Sequence, residues 1–319
     1  MIKLLKTNVS LKEYSSYKIG GIADYFLDFS SLDELERGLL EWQQIAKEKS
    51  LNAKKIFILG RGNNILFSDQ GYRGLILHNS INFITPLKDG LIEVGSGTSI
   101  DQLNDYCINN SLSGLEWSGG LPGTLGGAIF GNAGAFGGEM KDNIEQVKSY
   151  NLKSYQMVTR DNKECLFGYR QSIFKTKKLD ELIVSAKIPL RSGDKAMISK
   201  EIEQKIEYRE THQPLEYPSL GSTFKNVPVV SAPKETVALC SSEIKNDPFP
   251  VIPAAFLIHL SGFTGTKIGG AEISTKHPNF IVNVGDAKAE DIKALILLIQ
   301  RTIKERFGVE METEIRELT

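Results

Sequence analysis

Residues 118–139 are the part of this sequence whose residue types point most directly to chemistry. They read SGGLPGTLGGAIFGNAGAFGGE and include nine glycines and one charged residue, Glu139. A glycine inside a helix or strand costs about 0.5–1 kcal/mol relative to alanine, so a run this dense needs a physical reason. One such reason is an anionic ligand, above all a phosphate, that lies against bare backbone amides.

A flexible linker or a series of tight turns is the alternative explanation for this stretch. Linkers are usually rich in serine and other polar residues, whereas this stretch carries five large apolar side chains: Leu121, Leu125, Ile129, Phe130 and Phe136. Such side chains favour burial, and a buried, glycine-dense segment leaves amide groups free for a ligand. The composition therefore favours a phosphate-bearing ligand.

A second glycine element, GRGNN at residues 60–64, ends the apolar strand KIFIL. Two such elements offer enough backbone donors for a diphosphate, and Arg61 could add a positive charge, although isolated surface arginines are equally common. The sequence has no GxxxxGK[ST] motif, and GSGTSI at residues 95–100 lacks the third glycine of a dinucleotide fingerprint. The residues alone leave the identity of the ligand open.

The composition excludes several classes of protein. The chain has 319 residues and a net charge of −1, so it lacks the basic excess of an electrostatic nucleic-acid binder. Three scattered cysteines favour a reduced cytoplasmic protein, and four unpaired histidines give no reason to expect a metal. No window approaches the ~18–20 apolar residues that span a bilayer, and the N-terminus does not resemble a secretory signal.

The strands and helices that the sequence predicts around the two glycine motifs do not alternate regularly. This irregular order favours an α+β fold over a doubly wound parallel sheet. The apolar patterns predict strands at residues 23–29, 55–60, 74–79, 91–97, 146–151, 163–169 and 181–190. Helices are predicted at residues 32–42, 99–107, 199–210 and 286–308, the last of them ending at Gly308. RSGDK at residues 191–195 is the best candidate for a linker between domains.

Six motifs follow one another in order across nearly the whole chain: GRGNNIL, GLPGTLGGAIFGNAGAFGGE, FGYRQSIF, QPLEYPSLGSTFKN, KIGGAEISTKHPNFIVN and FGVEMETEIRE. Together they resemble the UDP-N-acetylenolpyruvoylglucosamine reductase family. The resemblance implies an NADPH-dependent flavoenzyme that reduces UDP-N-acetylglucosamine enolpyruvate to UDP-N-acetylmuramate for peptidoglycan synthesis. The short spacing from FGYRQSIF to GSTFKN is similar to the second type of the family, which lacks a long tyrosine-bearing loop.

The fold implied by the resemblance is a two-part FAD-binding domain of the vanillyl-alcohol-oxidase type, followed by a C-terminal α+β substrate domain. On this sequence the two FAD-binding subdomains would occupy residues 1–80 and 81–195. The substrate-binding domain would occupy residues 196–319, with an insertion near 227–253. Neither FAD motif contains histidine or cysteine, so FAD is expected to be non-covalent. We expect a monomer that binds its nucleotide-sugar substrate and neither nucleic acid nor membrane.

The reaction implied by the resemblance transfers hydride from N5 of reduced FAD to the β-carbon of the enolpyruvyl double bond, and a proton to its α-carbon. The motifs assign three catalytic residues. Arg170 would hold the charge on the substrate carboxylate, Ser222 would donate the proton, and Glu314 would stabilise the enol. Without the motifs, Arg170 would suit a structural ion pair, Ser222 a turn and Glu314 a solvated strand end.

The binding residues implied by the resemblance fall into two sets. The cofactor-binding set comprises Gly60, Arg61, Gly62, Asn63, Asn64, Gly120, Pro122, Gly123, Thr124, Gly126, Gly127, Asn132 and Gly134. The substrate-binding set comprises Tyr169, Lys225, Asn226, His277 and Asn279. A lysine suits a substrate diphosphate, although Lys225 could equally be a solvated turn residue and Tyr169 a core residue.

Two departures from the family pattern stand out. Residues 227–253 are longer than the family's usual few residues, and we interpret them as a surface insertion. His259 stands where the family usually has glutamate, which puts a local salt bridge in doubt. Another FAD oxidoreductase of the same fold class, or a non-catalytic flavin-binding module, would explain the glycine motifs. Neither would explain why Arg170, Ser222 and Glu314 occur together.

Overall fold

The computed structural model describes residues 3–177 and 179–318, which form two compact units. The first unit comprises Tyr25–Arg61 and Arg73–Tyr208, together with the N-terminal segment that ends at Thr7. The second unit comprises Asn8–Asp24, Gly62–Tyr72 and the chain from Arg209 onward. Each unit is therefore assembled from segments that lie far apart in the sequence.

Helices and strands occur in both units. The helices are α1 (Leu32–Glu48), α2 (Ile100–Asn109), α3 (Leu125–Gly131), α4 (Ile173–Thr176), α5 (Lys195–His212), α6 (Lys234–Leu239), α7 (Ala254–Leu260) and α8 (Ala289–Phe307). The strands are β1 (Lys6–Ser10), β2 (Ile22–Phe29), β3 (Ile56–Leu59), β4 (Ile65–Phe67), β5 (Tyr72–Asn79), β6 (Ile84–Pro86), β7 (Leu91–Gly95), β8 (Leu112–Ser113), β9 (Gly134–Ala135), β10 (Gly138–Glu139), β11 (Gln146–Asn151), β12 (Gln156–Asp161), β13 (Glu181–Pro189), β14 (Arg191–Ser192), β15 (Val227–Pro228), β16 (Lys245–Asn246), β17 (Pro250–Ile252), β18 (Lys267–Ile268), β19 (Ala271–Ile273), β20 (Ile281–Asn283) and β21 (Arg316–Leu318). Within residues 3–177 and 179–318, none of the helices has both the length and the apolar character needed to cross a membrane.

The first unit is organised around a five-stranded sheet in the order β12-β11-β13-β7-β6, in which neighbouring strands are antiparallel. Helix α2 begins where the side-chain oxygen of Ser99 accepts a hydrogen bond from the Gln102 amide. That bond satisfies one of the amides that the first turn of a helix leaves without a partner. A four-stranded sheet has the order β1-β2-β5-β3, with β3 and β5 parallel.

An ion pair links strands β12 and β13, which lie on either side of β11 in the five-stranded sheet. Arg160 donates from Nη1 and Nη2 to the two carboxylate oxygens of Glu181, at 2.6 and 2.9 Å, and Ser149 Oγ donates to the same carboxylate at 2.6 Å. Burial alone would raise the pKa of Glu181, but the hydrogen bonds from Arg160 and Ser149 outweigh it and hold the pKa below its usual value.

Replacing Glu181 with glutamine is expected to lower the free energy of unfolding by about 1.5–3 kcal/mol near neutral pH, because the partly buried Arg160 guanidinium would lose its charged hydrogen-bond partner. A depressed carboxyl pKa contributes stability above the unfolded-state value and loses it as the pH falls through the folded-state value. The difference between wild type and Glu181→Gln should therefore shrink below about pH 4.5, the ordinary value for this carboxyl. Urea unfolding of both proteins across this range measures the effect, and equal stabilities at neutral pH would contradict it.

The second unit packs helix α8 against short strands. The apolar positions predicted for this helix are all buried: Ile292, Leu295, Ile296, Ile299, Ile303 and Phe307. The helix ends at Gly308, whose φ of +65° lies in the left-handed region that glycine adopts without strain. Around it lie the sheets β15-β17-β16 and β18-β19-β20, and the parallel pair β4 and β21. The mixed helices and mainly antiparallel strands confirm the α+β class.

The strand predicted at residues 163–169 is wrong. A short 3-10 helix, Lys163–Cys165, occupies this region and is followed by Leu166 with φ of +47°. The strand lies earlier in the chain, as β12 at the edge of the five-stranded sheet. Because the side chains of an edge strand can remain exposed, QMVTRD carries no apolar alternation that would reveal it.

Residues 227–253, interpreted from the sequence as a surface insertion, are largely exposed but have regular secondary structure. The segment contains α6 and the three-stranded sheet β15-β17-β16. Cys240 and Ile252 are 0% exposed and belong to the main apolar core of the second unit, and Val251 is also 0% exposed. Their irregular spacing hides this burial from a search for periodic apolar residues.

Candidate active site

A short helix, α3, forms inside the glycine-rich stretch of the first unit. Its N-cap is Thr124, and its first amides already have acceptors within the protein. The Leu125 amide donates to the Thr98 carbonyl oxygen at 2.9 Å, and the Gly126 amide donates to the Ser96 carbonyl oxygen at 2.8 Å. The expectation that these amides are free for a ligand is therefore wrong, because residues some thirty positions earlier supply acceptors.

The loop before α3 has the bare backbone that the helix lacks. Gly120 has φ of +67° and Gly123 has φ of +118°, both in the region that favours glycine. Neither amide has an acceptor among residues 3–177 and 179–318. Two unpaired amides in a half-buried loop fit the diphosphate that the sequence resemblance implies.

The second glycine motif begins beside this loop. A side chain added at Gly60 would place its Cβ 2.9 Å from Thr124 Oγ1, so the two motifs approach each other closely in the first unit. Arg61 is exposed at the same end of strand β3. The remainder of the motif, from Gly62 onward, belongs to the second unit. Gly62 has φ of +67°, and a Cβ there would overlap the Tyr14 carbonyl oxygen.

Arg170 lies on a turn of the first unit with φ of +55°, unusual for a residue other than glycine. Its Nη2 donates to the Gly134 carbonyl oxygen at 2.8 Å, and its guanidinium lies 5.3 Å from the centre of the Tyr169 ring. A Cβ at Gly134 would lie 2.8 Å from Glu139 Cγ and 2.9 Å from the Gly138 carbonyl oxygen, so a larger residue there would disturb the backbone that holds Arg170. Gly134 thus positions the arginine, a role that its place in the glycine run did not reveal.

Asn132 ends α3 in the left-handed conformation and is 0% exposed. Its Nδ2 donates to the Gly168 carbonyl oxygen at 2.9 Å, and its Oδ1 accepts from the Lys141 amide at 2.9 Å. Both ends of the side-chain amide are therefore used inside the protein. The hydrogen bond to Gly168 connects the glycine-rich stretch to the turn that carries Arg170.

In the second unit, the structure places the chain segments that carry Ser222 and Glu314 side by side. Phe224 forms an antiparallel bridge with Thr313, and the Glu314 amide donates to the Thr223 carbonyl oxygen at 2.8 Å. Ser222 is half-buried, and its hydroxyl has no hydrogen-bond partner in the described part of the chain. A free hydroxyl beside a carboxylate-bearing strand can donate a proton to a bound molecule.

Asn279 holds the Ser222 segment from its other side. Its carbonyl oxygen accepts from the Thr223 amide at 2.7 Å, while its side chain exchanges two hydrogen bonds with the Phe224 backbone at 2.9 and 2.8 Å. The residue is 3% exposed, so its side chain acts on the protein backbone. The nearby His277 ring packs against Phe280 at 4.8 Å. Burial lowers the pKa of His277, and the positive charges of Lys245 and His212 act in the same direction.

Lys225 combines a buried stem with a charged partner. Its side chain is 8% exposed and forms an ion pair with Glu312, which is 70% exposed. The Lys225 amide also donates to the Glu312 carbonyl oxygen at 2.9 Å. Glu312 is absent from the residues inferred from the sequence, although it stands two positions before Glu314 in the same motif. Asn226, the next residue after Lys225, accepts from the Ala254 amide through Oδ1 at 3.1 Å.

Within the second unit, Asn64 of the GRGNN motif contacts the Glu314 segment, and Asn63 contacts Ser16. Asn64 Nδ2 donates to the Glu314 carbonyl oxygen at 3.1 Å, and the Arg316 amide donates back to the Asn64 carbonyl oxygen at 3.0 Å. Asn63 Nδ2 donates to Ser16 Oγ at 2.8 Å, and its Oδ1 is buried with no partner among the described residues. An unpartnered buried acceptor of this kind suits a donor on a bound molecule.

Three positions that the sequence analysis singled out are exposed. Pro122 and Gly127 are exposed on the glycine-rich stretch of the first unit. His259 is exposed on helix α7, with its Nδ1 3.4 Å from Thr264 Oγ1. The histidine therefore has a neutral hydroxyl partner at the position where the family pattern has a charged glutamate.

Two protein-family models match separate parts of the chain. An FAD-binding domain model matches residues 40–162, and a model described as UDP-N-acetylenolpyruvoylglucosamine reductase, C-terminal domain, matches residues 213–318. The first match contains both glycine motifs. The second contains Ser222, Lys225 and Glu314.

Curated relatives and a solved structure resemble the whole chain. The UDP-N-acetylenolpyruvoylglucosamine reductase of Lachnoclostridium phytofermentans is 35% identical over 314 residues, covering 97% of this chain and 91% of the relative. The enzyme of the same name from Caldanaerobacter subterraneus subsp. tengcongensis is 37% identical over 314 residues, covering 98% and 93%. The crystal structure of UDP-N-acetylenolpyruvylglucosamine reductase from Thermus caldophilus aligns with a TM-score of 0.73 at 28% identity and covers 98% of each chain.

Proposed function

Because this chain belongs to the UDP-N-acetylenolpyruvoylglucosamine reductase family, we propose that it reduces UDP-N-acetylglucosamine enolpyruvate to UDP-N-acetylmuramate for peptidoglycan synthesis. The protein is an FAD-dependent oxidoreductase, and NADPH is the proposed reductant. The observation that carries this proposal is the pairing of the Ser222 segment with the Glu314 segment, inside a chain that matches reductases along nearly its whole length.

The two glycine motifs are proposed to hold FAD without a covalent bond. The unpaired amides of Gly120 and Gly123 would bind its diphosphate, and Gly60 leaves the space that lets the two motifs meet. Arg61 is exposed and available to add a positive charge. The other predicted cofactor residues would shape this cradle, with Asn132 and Gly126 acting through contacts inside the protein.

The chemistry proposed for the chain's own residues concerns charge and one proton. When bound, FAD supplies the hydride for the enolpyruvyl double bond. Negative charge then develops toward the substrate carboxylate, and the Arg170 guanidinium would bind that carboxylate. Ser222 would donate its hydroxyl proton to the α-carbon, while Glu314 would stabilise the enol form. The half-buried hydroxyl of Ser222, without a partner among the described residues, supports its role as donor.

The remaining substrate contacts divide into direct and indirect roles. Lys225 is proposed to bind the substrate diphosphate, with Glu312 holding its ammonium group in place. Asn279 and Asn226 would act by fixing the Ser222 segment and its continuation. Tyr169 would support Arg170 through its ring, and His277 would offer a neutral imidazole because its pKa is lowered by burial.

The broader organisation is part of the same proposal. Residues 1–80 and 81–195 would form the FAD-binding subdomains, and residues 196–319 the substrate-binding domain. The enzyme would work as a cytoplasmic monomer on a nucleotide-sugar substrate.

The decisive experiment uses the purified protein and measures NADPH consumption. The preparation should be yellow, and NADPH oxidation should accelerate when UDP-N-acetylglucosamine enolpyruvate is added. The matched control is UDP-N-acetylglucosamine, which has the same nucleotide and sugar but no double bond to reduce. Equal rates with the two compounds would overturn the proposal, and bleaching of the flavin by an alcohol or hydroxy acid would favour a different oxidoreductase.

A further inference from the structure

Residues 227–253 form an ordered part of the second unit, directly continuous with the proposed catalytic segment. Strand β15 begins immediately after Asn226, and Val227 pairs with Ile252 in the antiparallel strand β17. Asn226 Oδ1 accepts from the Ala254 amide at 3.1 Å, which joins the two ends of the segment. The two ends of the segment therefore meet beside Asn226, four residues after Ser222.

The middle of the segment contacts the C-terminal end of helix α8, which precedes Glu314 in the chain. Thr236, in α6, is 4% exposed, and its Oγ1 donates to the Phe307 carbonyl oxygen at 2.7 Å. The last carbonyl groups of a helix have no amide donor within the helix, so a buried carbonyl there needs a donor from another part of the protein. Pro233 Cγ lies 3.0 Å from the position that a Cβ of Gly308 would occupy. The chain reaches Glu314 six residues after Gly308.

We propose that residues 227–253 form a brace that fixes the chain segments carrying Ser222 and Glu314 relative to each other, with Thr236 as a positioning residue. This inference rests on the proposed catalytic roles of Ser222 and Glu314. Proton transfer and charge stabilisation depend on small distances, so a displacement of the Glu314 segment slows the chemical step without removing a reacting group. The Thr236 hydroxyl prevents such a displacement by supplying the donor that Phe307 needs.

Three variants of the full-length FAD-loaded enzyme test this role. Thr236→Val keeps the shape of the side chain but removes the hydroxyl, and Thr236→Ser keeps the hydroxyl. Ser261→Ala is the matched control, because Ser261 Oγ donates to the Leu257 carbonyl oxygen at 2.8 Å at the end of α7, a helix that carries neither Ser222 nor Glu314. Rapid mixing measures flavin reduction by NADPH and its reoxidation by the enolpyruvyl substrate separately.

The valine variant should slow the limiting rate of reoxidation by about 2- to 10-fold, the range expected for loss of one buried hydrogen bond. FAD content and the rate of reduction by NADPH should stay unchanged, and Thr236→Ser and Ser261→Ala should reoxidise at nearly the wild-type rate. A valine variant that only melts at a lower temperature, with normal reoxidation, would show that the bond is merely structural and would overturn the brace.

A shortened chain provides the second test. Pro228 pairs with Val251, so replacing residues 229–250 by Asn-Gly would close the two strands with a two-residue hairpin turn. A yellow shortened protein with slow reoxidation would support the brace, and one with normal reoxidation would overturn it. If this variant does not fold, the Thr236 series decides. Wild type and Glu314→Gln separate the two proposals. Failure of the enolpyruvyl substrate to reoxidise the wild-type flavin contradicts the proposed function, and normal reoxidation in Glu314→Gln contradicts the proposed role of Glu314. Slow reoxidation in Glu314→Gln with normal reoxidation in Thr236→Val contradicts the brace alone.

Discussion

Ser222→Ala is expected to leave the reduction of FAD by NADPH at its normal rate and to slow reoxidation by the enolpyruvyl substrate about 10²–10⁴-fold. The reduction step requires no proton at the substrate α-carbon. The second step does require one, and alanine cannot supply it. Because a serine hydroxyl is a weak acid, its effect depends on the charges of Arg170 and Glu314 around the substrate.

Ser222→Cys should recover part of the lost rate, because the thiol is more acidic and has a similar stem. Ser231→Ala is a suitable control, since that exposed hydroxyl donates only to the Pro228 carbonyl oxygen in the same unit. Stopped-flow bleaching of the flavin by NADPH, followed by its recolouring by substrate, separates the two steps. Equal slowing of both steps in Ser222→Ala would show that the serine has a structural role.

Gly123→Val is expected to yield protein that has largely lost FAD. The φ of +118° at Gly123 strains any residue with a Cβ, and the amide there has no acceptor among the described residues. Valine keeps the amide, but the backbone must change to relieve this strain and would move the amide away from the FAD diphosphate that we propose it binds. Losing that charge-assisted hydrogen bond weakens FAD binding about 10- to 100-fold. Flavin absorbance per polypeptide measures the loss, at a fold content matched by circular dichroism.

Gly131→Ala in the same stretch is the matched control. A Cβ at Gly131 would meet nothing within 4 Å, so alanine should retain FAD and stabilise α3 slightly. Gly126→Val is less informative, because a Cβ there would lie 3.0 Å from Ser96 Cβ and disturb the protein itself. Normal FAD content in Gly123→Val would mean that the diphosphate binds elsewhere.

Several features of this protein follow from the sequence because they depend on neighbouring residues. The Ser99 cap of α2, the buried stripe of α8 and the stop at Gly308 are local properties of backbone geometry and apolar spacing. The family and the α+β class follow from motifs that keep their order along the chain. Such signals need no knowledge of which distant residues meet.

The tertiary structure decided everything that depends on a partner far away in the chain. The Gly126 amide is occupied because Ser96 lies beside it, and Asn279 binds the Phe224 backbone across 55 positions. Glu312 meets Lys225 across 87 positions, and Thr236 meets Phe307 across 71. A local pattern cannot reveal these pairs, because each hydrogen bond forms only after the apolar core has brought separate segments together. The sequence therefore indicated which residues could do chemistry, and packing determined which of them remain free to do it.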